Sequence, residues 1–200
     1  MSMRILLTGA SGFLGKIILK VLHDNEITTL SRRHSDININ LSTTIPELPK
    51  TSIVIHCAGK AHSVPKTLEE KNKFYEINVT GTANLLNALE GSRLPKSFIF
   101  ISTVAVYGRD SGVLINENEP LLAIDPYGRS KIEAEQLIFH WCKKNDVICT
   151  ILRLPLIAGS NPPGNLGRMI RGIKKGYYFN IAGGKEKKSI VLAKDVAAAI

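Results

Sequence analysis

Residues 8–15, T-G-A-S-G-F-L-G, decide the fold. The run before them, "RILLTG", is short and apolar. The run after, "FLGKIILKVLHDN", places its apolar residues at helical spacing. Gly9, Gly12 and Gly15 therefore stand between a buried strand and a helix. At such a junction glycine permits a tight turn, lets the backbone approach a pyrophosphate, and lets the helix pack close to the strand. The free N–H groups of the helix start then face the anion.

Outward from this loop, strand and helix patterns alternate. "EITTLSR", "DININL", "SIVIHCAG", "SFIFIST" and "DVICTILRL" read as strands, and residues 67–89 and a segment starting near Tyr127 read as helices. Nearly continuous apolar strands separated by helices predict a Rossmann-type α/β fold, a doubly wound parallel sheet with helices on both faces. Residues 1–160 form the expected dinucleotide-binding domain and 161–200 open a substrate-binding portion. The chain stops inside the helical pattern "AKDVAAAI", which leads us to expect only part of that second portion.

The 200 residues carry 26 Lys and Arg against 17 Asp and Glu, a net charge of +9, and 44% are hydrophobic. That is enough apolar material for a buried core. The basic residues are dispersed, and no aromatic-interleaved stripe marks a nucleic-acid surface, so a small anionic ligand accounts for the charge. No apolar run is long enough for a bilayer and the N-terminus lacks a signal-peptide pattern, so no membrane partner and a cytoplasmic location are expected. Cys57, Cys142 and Cys149 are scattered, which predicts reduced thiols and neither a disulfide nor a metal site.

Three groups suggest chemistry. Tyr127 and Lys131 lie four apart on one helix face. An ammonium near a phenol favours the phenolate, which would make Tyr127 an acid or base near neutral pH. "FISTVAVYG" ends a strand with Ser102 and Thr103, and C-terminal strand ends face the ligand crevice in such sheets. Ser31, Arg32 and Arg33 follow the second strand, with no carboxylate before Asp36. A hydroxyl and two guanidiniums suit a 2′-phosphate, so NADP(H) is expected over NAD(H). His62 follows the fourth strand and is a candidate sugar contact, while His56 inside that strand reads as a satisfied core histidine.

The order of "TGASGFLG", "VIHCAG", "INVTGTANLL", "FISTVAVYG", "PYGRSK" and "ILRLPLIAG" resembles the extended short-chain dehydrogenase/reductases of nucleotide-sugar metabolism, the NAD-dependent epimerase/dehydratase family. The resemblance implies a catalytic trio of Thr103, Tyr127 and Lys131, with Ser102 as the alternative hydroxyl. It implies cofactor contacts from Ser11, Phe13 and Leu14 within the glycine loop. Further contacts would come from Cys57, Ala58 and Gly59, from Asn78 and Ile101, and from Leu154 and Pro155 beside the nicotinamide. Asn165, Leu166 and Lys188 match positions that hold the nucleotide diphosphate, although lysine replaces the more usual arginine.

Where sugar dehydratases of this group carry an acid pair after the threonine, the chain has Val104 and Ala105, which leaves 4-epimerization or reduction of a keto-sugar. An NADP(H) preference favours the reductases of surface-polysaccharide sugars. A homodimer through the helices at about 67–90 and 126–145 is also implied. A non-catalytic dinucleotide sensor is the alternative; the presence of both Tyr127 and Lys131 argues for an enzyme.

Overall fold

The computed structural model describes residues 3–61, 64–178 and 187–200. Six parallel strands form the central sheet: β1 (Arg4–Thr8), β2 (Glu26–Ser31), β3 (Ile37–Asn38), β4 (Ile53–His56), β5 (Ser97–Thr103) and β6 (Ile148–Leu154), in the order β3-β2-β1-β4-β5-β6. Chain order runs outward one way from β1 and the other way from β4, so the topological switch lies between them, where open α/β sheets bind ligands.

Strand alternation sends the sheet into two cores. Leu6, Val54, Phe98 and Phe100 face α3 (Gly81–Glu90) and α4 (Pro126–Lys144), where they pack with Leu85, Leu89, Ile138 and Trp141. Ile5, Leu7, Ile55 and Ile99 face the other way, toward Leu14 and Ile18 of α1 (Phe13–Val21) and Val196 and Ala197 of α6 (Ala193–Ala199). Burial of both sheet faces is what the unbroken apolar strands predict.

The helix expected over 67–89 is two helices, α2 (Leu68–Tyr75) and α3, joined by a π-helical turn at Glu76–Thr80. Thr67 caps α2 through a capping box with Glu70. Beyond β6, β7 (Leu156–Ala158) pairs in parallel with β8 (Ile190–Leu192) in a separate two-stranded sheet, and α5 (Gly164–Lys174) lies between them in sequence. Neither short strand stands out in the sequence, because three residues carry too little alternation to read. Among the described residues, no helix is long and apolar enough to cross a membrane.

Candidate active site

The glycine loop follows β1 directly. Gly9 has φ +70°, and a Cβ there would lie 2.7 Å from the Ala58 backbone nitrogen. A Cβ on Gly15 would overlap the Gly9 carbonyl and approach Ala10 Cα to 2.8 Å. Both positions exclude side chains by backbone contact, and the loop is drawn tight by the Gly12 N–H bond to Gly9 O at 2.9 Å. Gly12 caps α1 without a side-chain acceptor, and the first turn contains no acid, so the helix start suits an anion. Gly9, Ser11, Gly12, Ser31, Arg32 and Ala58, with Cys57 and Gly59, line a cavity of about 390 Å³ at this switch point. Phe13, Leu14 and Gly15 do not line it; Leu14 is buried in the core, and Phe13 packs against that core.

At the end of β2 the Ser31 hydroxyl donates to the Arg33 carbonyl at 2.8 Å, and Ser31 is buried. Arg32 and Arg33 are exposed. Asp36 bends back to β2, where its carboxylate accepts from the Thr29 N–H at 2.8 Å and the Thr29 hydroxyl at 2.7 Å. Those bonds hold the Asp36 carboxyl below its usual range. A fixed negative charge therefore returns to the second strand, where the linear sequence shows none.

Asp125 starts α4 by accepting the N–H groups of Tyr127 and Gly128, each at 3.0 Å, and Pro126 takes the first helical position, where no donor is needed. This cap fixes Tyr127, whose phenol faces the Thr103 hydroxyl at the end of β5; that hydroxyl accepts the Ala105 N–H at 3.2 Å. Burial raises the Tyr127 pKa, and the neighbouring Thr103 hydroxyl opposes that rise.

Lys131 is buried, donates from Nζ to the Ile101 carbonyl at 2.7 Å, and lies 3.8 Å from the Phe100 ring centre. Burial lowers its pKa to about 7, against the attraction of Glu135. The sequence expectation that Lys131 depresses Tyr127 needs correction for the chain by itself. The ammonium points to Ile101, and the group that opposes the burial of the phenol is Thr103. Ser102 is removed as the alternative hydroxyl, because it donates to Glu135 in the buried interior.

Several supporting residues were not anticipated. The Glu135 carboxylate accepts from Arg153 Nη2 at 2.9 Å and from its Nε at 3.2 Å. A glutamate four residues after Lys131 and an arginine inside an apolar strand run are the signals that could have revealed this pair. Phe74 packs on the Tyr127 ring at 5.9 Å, and the Lys60 ammonium lies 5.2 Å from the Phe74 centre. Asn78, expected as a cofactor contact, does not line the glycine-loop cavity; from the π-helical turn it clamps Lys60 from both sides, its Oδ1 accepting the Lys60 N–H at 2.7 Å and its Nδ2 donating to the Lys60 carbonyl at 3.2 Å. Irregular helical turns of this kind are frequent at functional sites.

A second cavity, of about 860 Å³, is lined by Tyr107, Arg109, Arg153, Leu154, Pro155 and Lys188, among others. Asn165 and Leu166 do not line it: the Asn165 Oδ1 accepts from Arg168 at 2.6 Å, and Leu166 is buried. His62 lies outside the described residues. Thr103 pairs in register with Leu154, and β4 separates β5 from β1, so the C-terminal strand edge runs from Gly9 through Cys57 and Thr103 to Leu154. Thr103 and Tyr127 thus stand between the glycine-loop cavity and the basic one.

Fold and site define a doubly wound α/β chain with a dinucleotide-type glycine loop and a tyrosine–lysine helix at the same strand edge. The chain belongs to the NAD dependent epimerase/dehydratase family, whose model matches residues 5–200. It is 31% identical to the UDP-glucose 4-epimerase of Vibrio cholerae over 86% of its own length and 57% of that protein's. The chain therefore spans little more than half of that relative. Its fold superposes on UDP-N-acetylglucosamine 4-epimerase from Methanobrevibacter ruminantium M1 with a TM-score of 0.84 and 24% identity, covering 99% of this chain and 71% of the other. RMD from Pseudomonas aeruginosa, solved with NADPH, gives a TM-score of 0.77 and 27% identity over 100% of this chain and 70% of the other.

The NADP(H) expectation is overturned. Five similar solved structures contain NAD, against that one with NADPH. In the chain itself the Ser31 hydroxyl is already committed to the Arg33 carbonyl, and Arg33 does not line the cavity, so of the three residues read as a phosphate site only Arg32 presents a free-standing charge there.

Proposed function

We propose that the chain is the dinucleotide-binding part of an NAD(H)-dependent enzyme acting at C4 of a nucleoside-diphosphate sugar, by 4-epimerization. Residues 1–160 hold the cofactor and 161–200 begin the sugar-binding portion. The observation that carries this reading is the placement of Thr103, Tyr127 and the buried Lys131, whose Nζ donates to the Ile101 carbonyl, at the strand edge between the glycine-loop cavity and the second cavity. A nicotinamide dinucleotide fits the first cavity, because Gly9, Ser11 and Gly12 line it at the start of α1, whose first turn carries no acid to repel a pyrophosphate. When bound, the nicotinamide supplies a hydride acceptor and donor for the sugar carbon.

The chain's residues supply the rest. The Tyr127 oxygen takes and returns the proton of the sugar hydroxyl, and the Thr103 hydroxyl holds that oxygen in place. Lys131, with a pKa of about 7, places a cation beside the strand end that protonates or deprotonates in the working range. Lys188 lines the second cavity and supplies a cation for a diphosphate there, while Arg109 and Arg153, which also line it, are paired with Glu119 and Glu135. Val104 and Ala105 after Thr103 provide no acid pair, which disfavours dehydration. Without a preference for NADP(H), the argument for a reductase loses its basis, and the Vibrio cholerae relative, a 4-epimerase, supports a reaction that returns its hydride. Leu68, Leu137 and Phe139 are exposed on α2 and α4, which supports a homodimer through these helices, testable by sedimentation.

The test incubates the protein with NAD and UDP-glucose or UDP-N-acetylglucosamine and separates the 4-epimers by anion exchange. Interconversion is expected for the wild type and its loss for Tyr127→Phe. No interconversion of either sugar, or equal rates in the two proteins, would reject the reading.

A further inference from the structure

We infer that His56 is a positioning residue, a neutral imidazole protonated on Nε2 that fastens the glycine loop to the helix carrying Tyr127. It lines neither cavity and is 1% exposed. Its Nε2 lies 3.0 Å from Thr82 Oγ1, and that hydroxyl donates to the Asn78 carbonyl at 2.6 Å. With its proton committed there, Thr82 accepts from His56, so Nε2 carries the hydrogen. Nδ1 is then bare and accepts from Thr8 Oγ1 at 2.6 Å, while the same Thr8 oxygen accepts the Ala58 N–H at 3.1 Å.

Every hydrogen in the line has one place to go: Ala58 N–H to Thr8, Thr8 to His56, His56 to Thr82, Thr82 to Asn78. Asn78 continues it, since its Nδ2 also donates to Ser130 Oγ at 2.9 Å, and Ser130 donates to the Tyr127 carbonyl at 2.8 Å. Thr8 directly precedes Gly9, and Ala58 is the residue against which Gly9 packs. The network therefore joins the end of β1, the loop after β4, the π-helical turn and the first turn of α4.

The ring stacks on Phe100 with centres 5.4 Å apart, and Lys131 contacts the same phenyl ring. Full burial, with Lys131 as the nearby cation, holds the imidazole neutral, with a pKa lowered to about 3. A protonated ring would lose the acceptor that Thr8 needs. The consequence for catalysis, that seating the dinucleotide and placing Tyr127 are mechanically one event, rests on the function proposed above. The hydrogen-bond geometry stands without it.

Long-range 1H–15N correlation spectra of the 15N-labelled full chain test the tautomer, with His56→Gln identifying the signal by its loss. The expected pattern is Nε2–H, unchanged from pH 5 to 9; an Nδ1–H pattern, or a titration in that range, overturns the inference. Amide exchange tests the coupling. His56→Gln carries an amide to the Nε2 position but no acceptor to the Nδ1 position, and is expected to keep the Lys60 amide within about threefold of wild-type exchange. His56→Phe keeps the stacking and loses both bonds, so the Lys60 and Ala58 amides are expected to exchange at least about tenfold faster. If His56→Phe does not fold, Thr82→Val, which removes one hydroxyl, is expected to accelerate the Lys60 amide. Wild-type exchange in the folded variant overturns the inference. Wild-type protein that fails to bind NADH would remove the dinucleotide reading, and the imidazole spectrum would still decide the network.

Discussion

Glu135→Gln removes the charge of a carboxylate whose side chain is 4% exposed and leaves the guanidinium of Arg153, 19% exposed, without its anion. Breaking a buried pair from one side costs about 3–5 kcal/mol. The lower end applies here. Arg153 keeps its bonds to Tyr107 Oη and the Glu117 carbonyl, each at 3.1 Å, and glutamine retains one oxygen for the guanidinium. The expected loss is about 3 kcal/mol. With an m-value of about 2–3 kcal/mol per molar urea, the unfolding midpoint falls by about 1–1.5 M at unchanged m. The double variant Glu135→Leu/Arg153→Met removes both charges together and is expected to recover most of the loss, since apolar replacement of a buried pair is often neutral or stabilising. A single variant within about 0.5 kcal/mol of wild type, the usual range for surface substitutions, would refute the reasoning. So would a double variant no more stable than the single one.

Lys131→Met should change how stability depends on pH. The folded pKa of Lys131, about 7, lies below the unfolded value of about 10.4, so the unfolded chain binds the extra proton between them and stability rises with pH. Cys57, held near 12 by burial, gives the opposite slope above about pH 8.5, so the clean window runs from about pH 7 to 8.5. There, urea titrations of the cofactor-free protein should show a wild-type slope of up to about 1.4 kcal/mol per pH unit that Lys131→Met lacks. Thr103→Val removes the hydroxyl that opposes the burial of the phenol, and should raise the Tyr127 pKa further by 13C-tyrosine NMR. Asp125→Ala deletes a cap serving two N–H groups and should cost about 1 kcal/mol in thermal unfolding.

The sheet was legible because both of its faces are buried: RILLT, SIVIH and SFIFIST are apolar enough that burial on two sides is their simplest reading. The glycine loop and the α4 start were legible for a related reason, that glycine, aspartate and proline mark backbone geometry directly. What escaped was built mostly from contacts between segments distant in sequence. Locally, the Ser31 hydroxyl turns to the Arg33 carbonyl because the chain bends straight after β2, and a linear reading that offered this hydroxyl to a phosphate could not show that. The π-helical turn is invisible in a pattern that continues helical spacing through Asn78. The Ser102–Glu135–Arg153 cluster joins β5, α4 and β6, and no local rule pairs them. The orientation of Lys131 toward Ile101 likewise depends on the neighbouring strand, so the four-residue spacing to Tyr127 gave the shared face and not the contact.

The central claim is that the switch-point crevice seats a nicotinamide dinucleotide against the Tyr127 helix. The most direct measurement is a fluorescence titration of NADH into wild-type protein and into Gly15→Ala, whose added methyl would meet Gly9 and Ala10 backbone atoms. Saturable binding by the wild type, weakened at least about tenfold in a variant that remains folded, is the predicted result. No saturable binding by the wild type, or equal affinity in the two proteins, would contradict it.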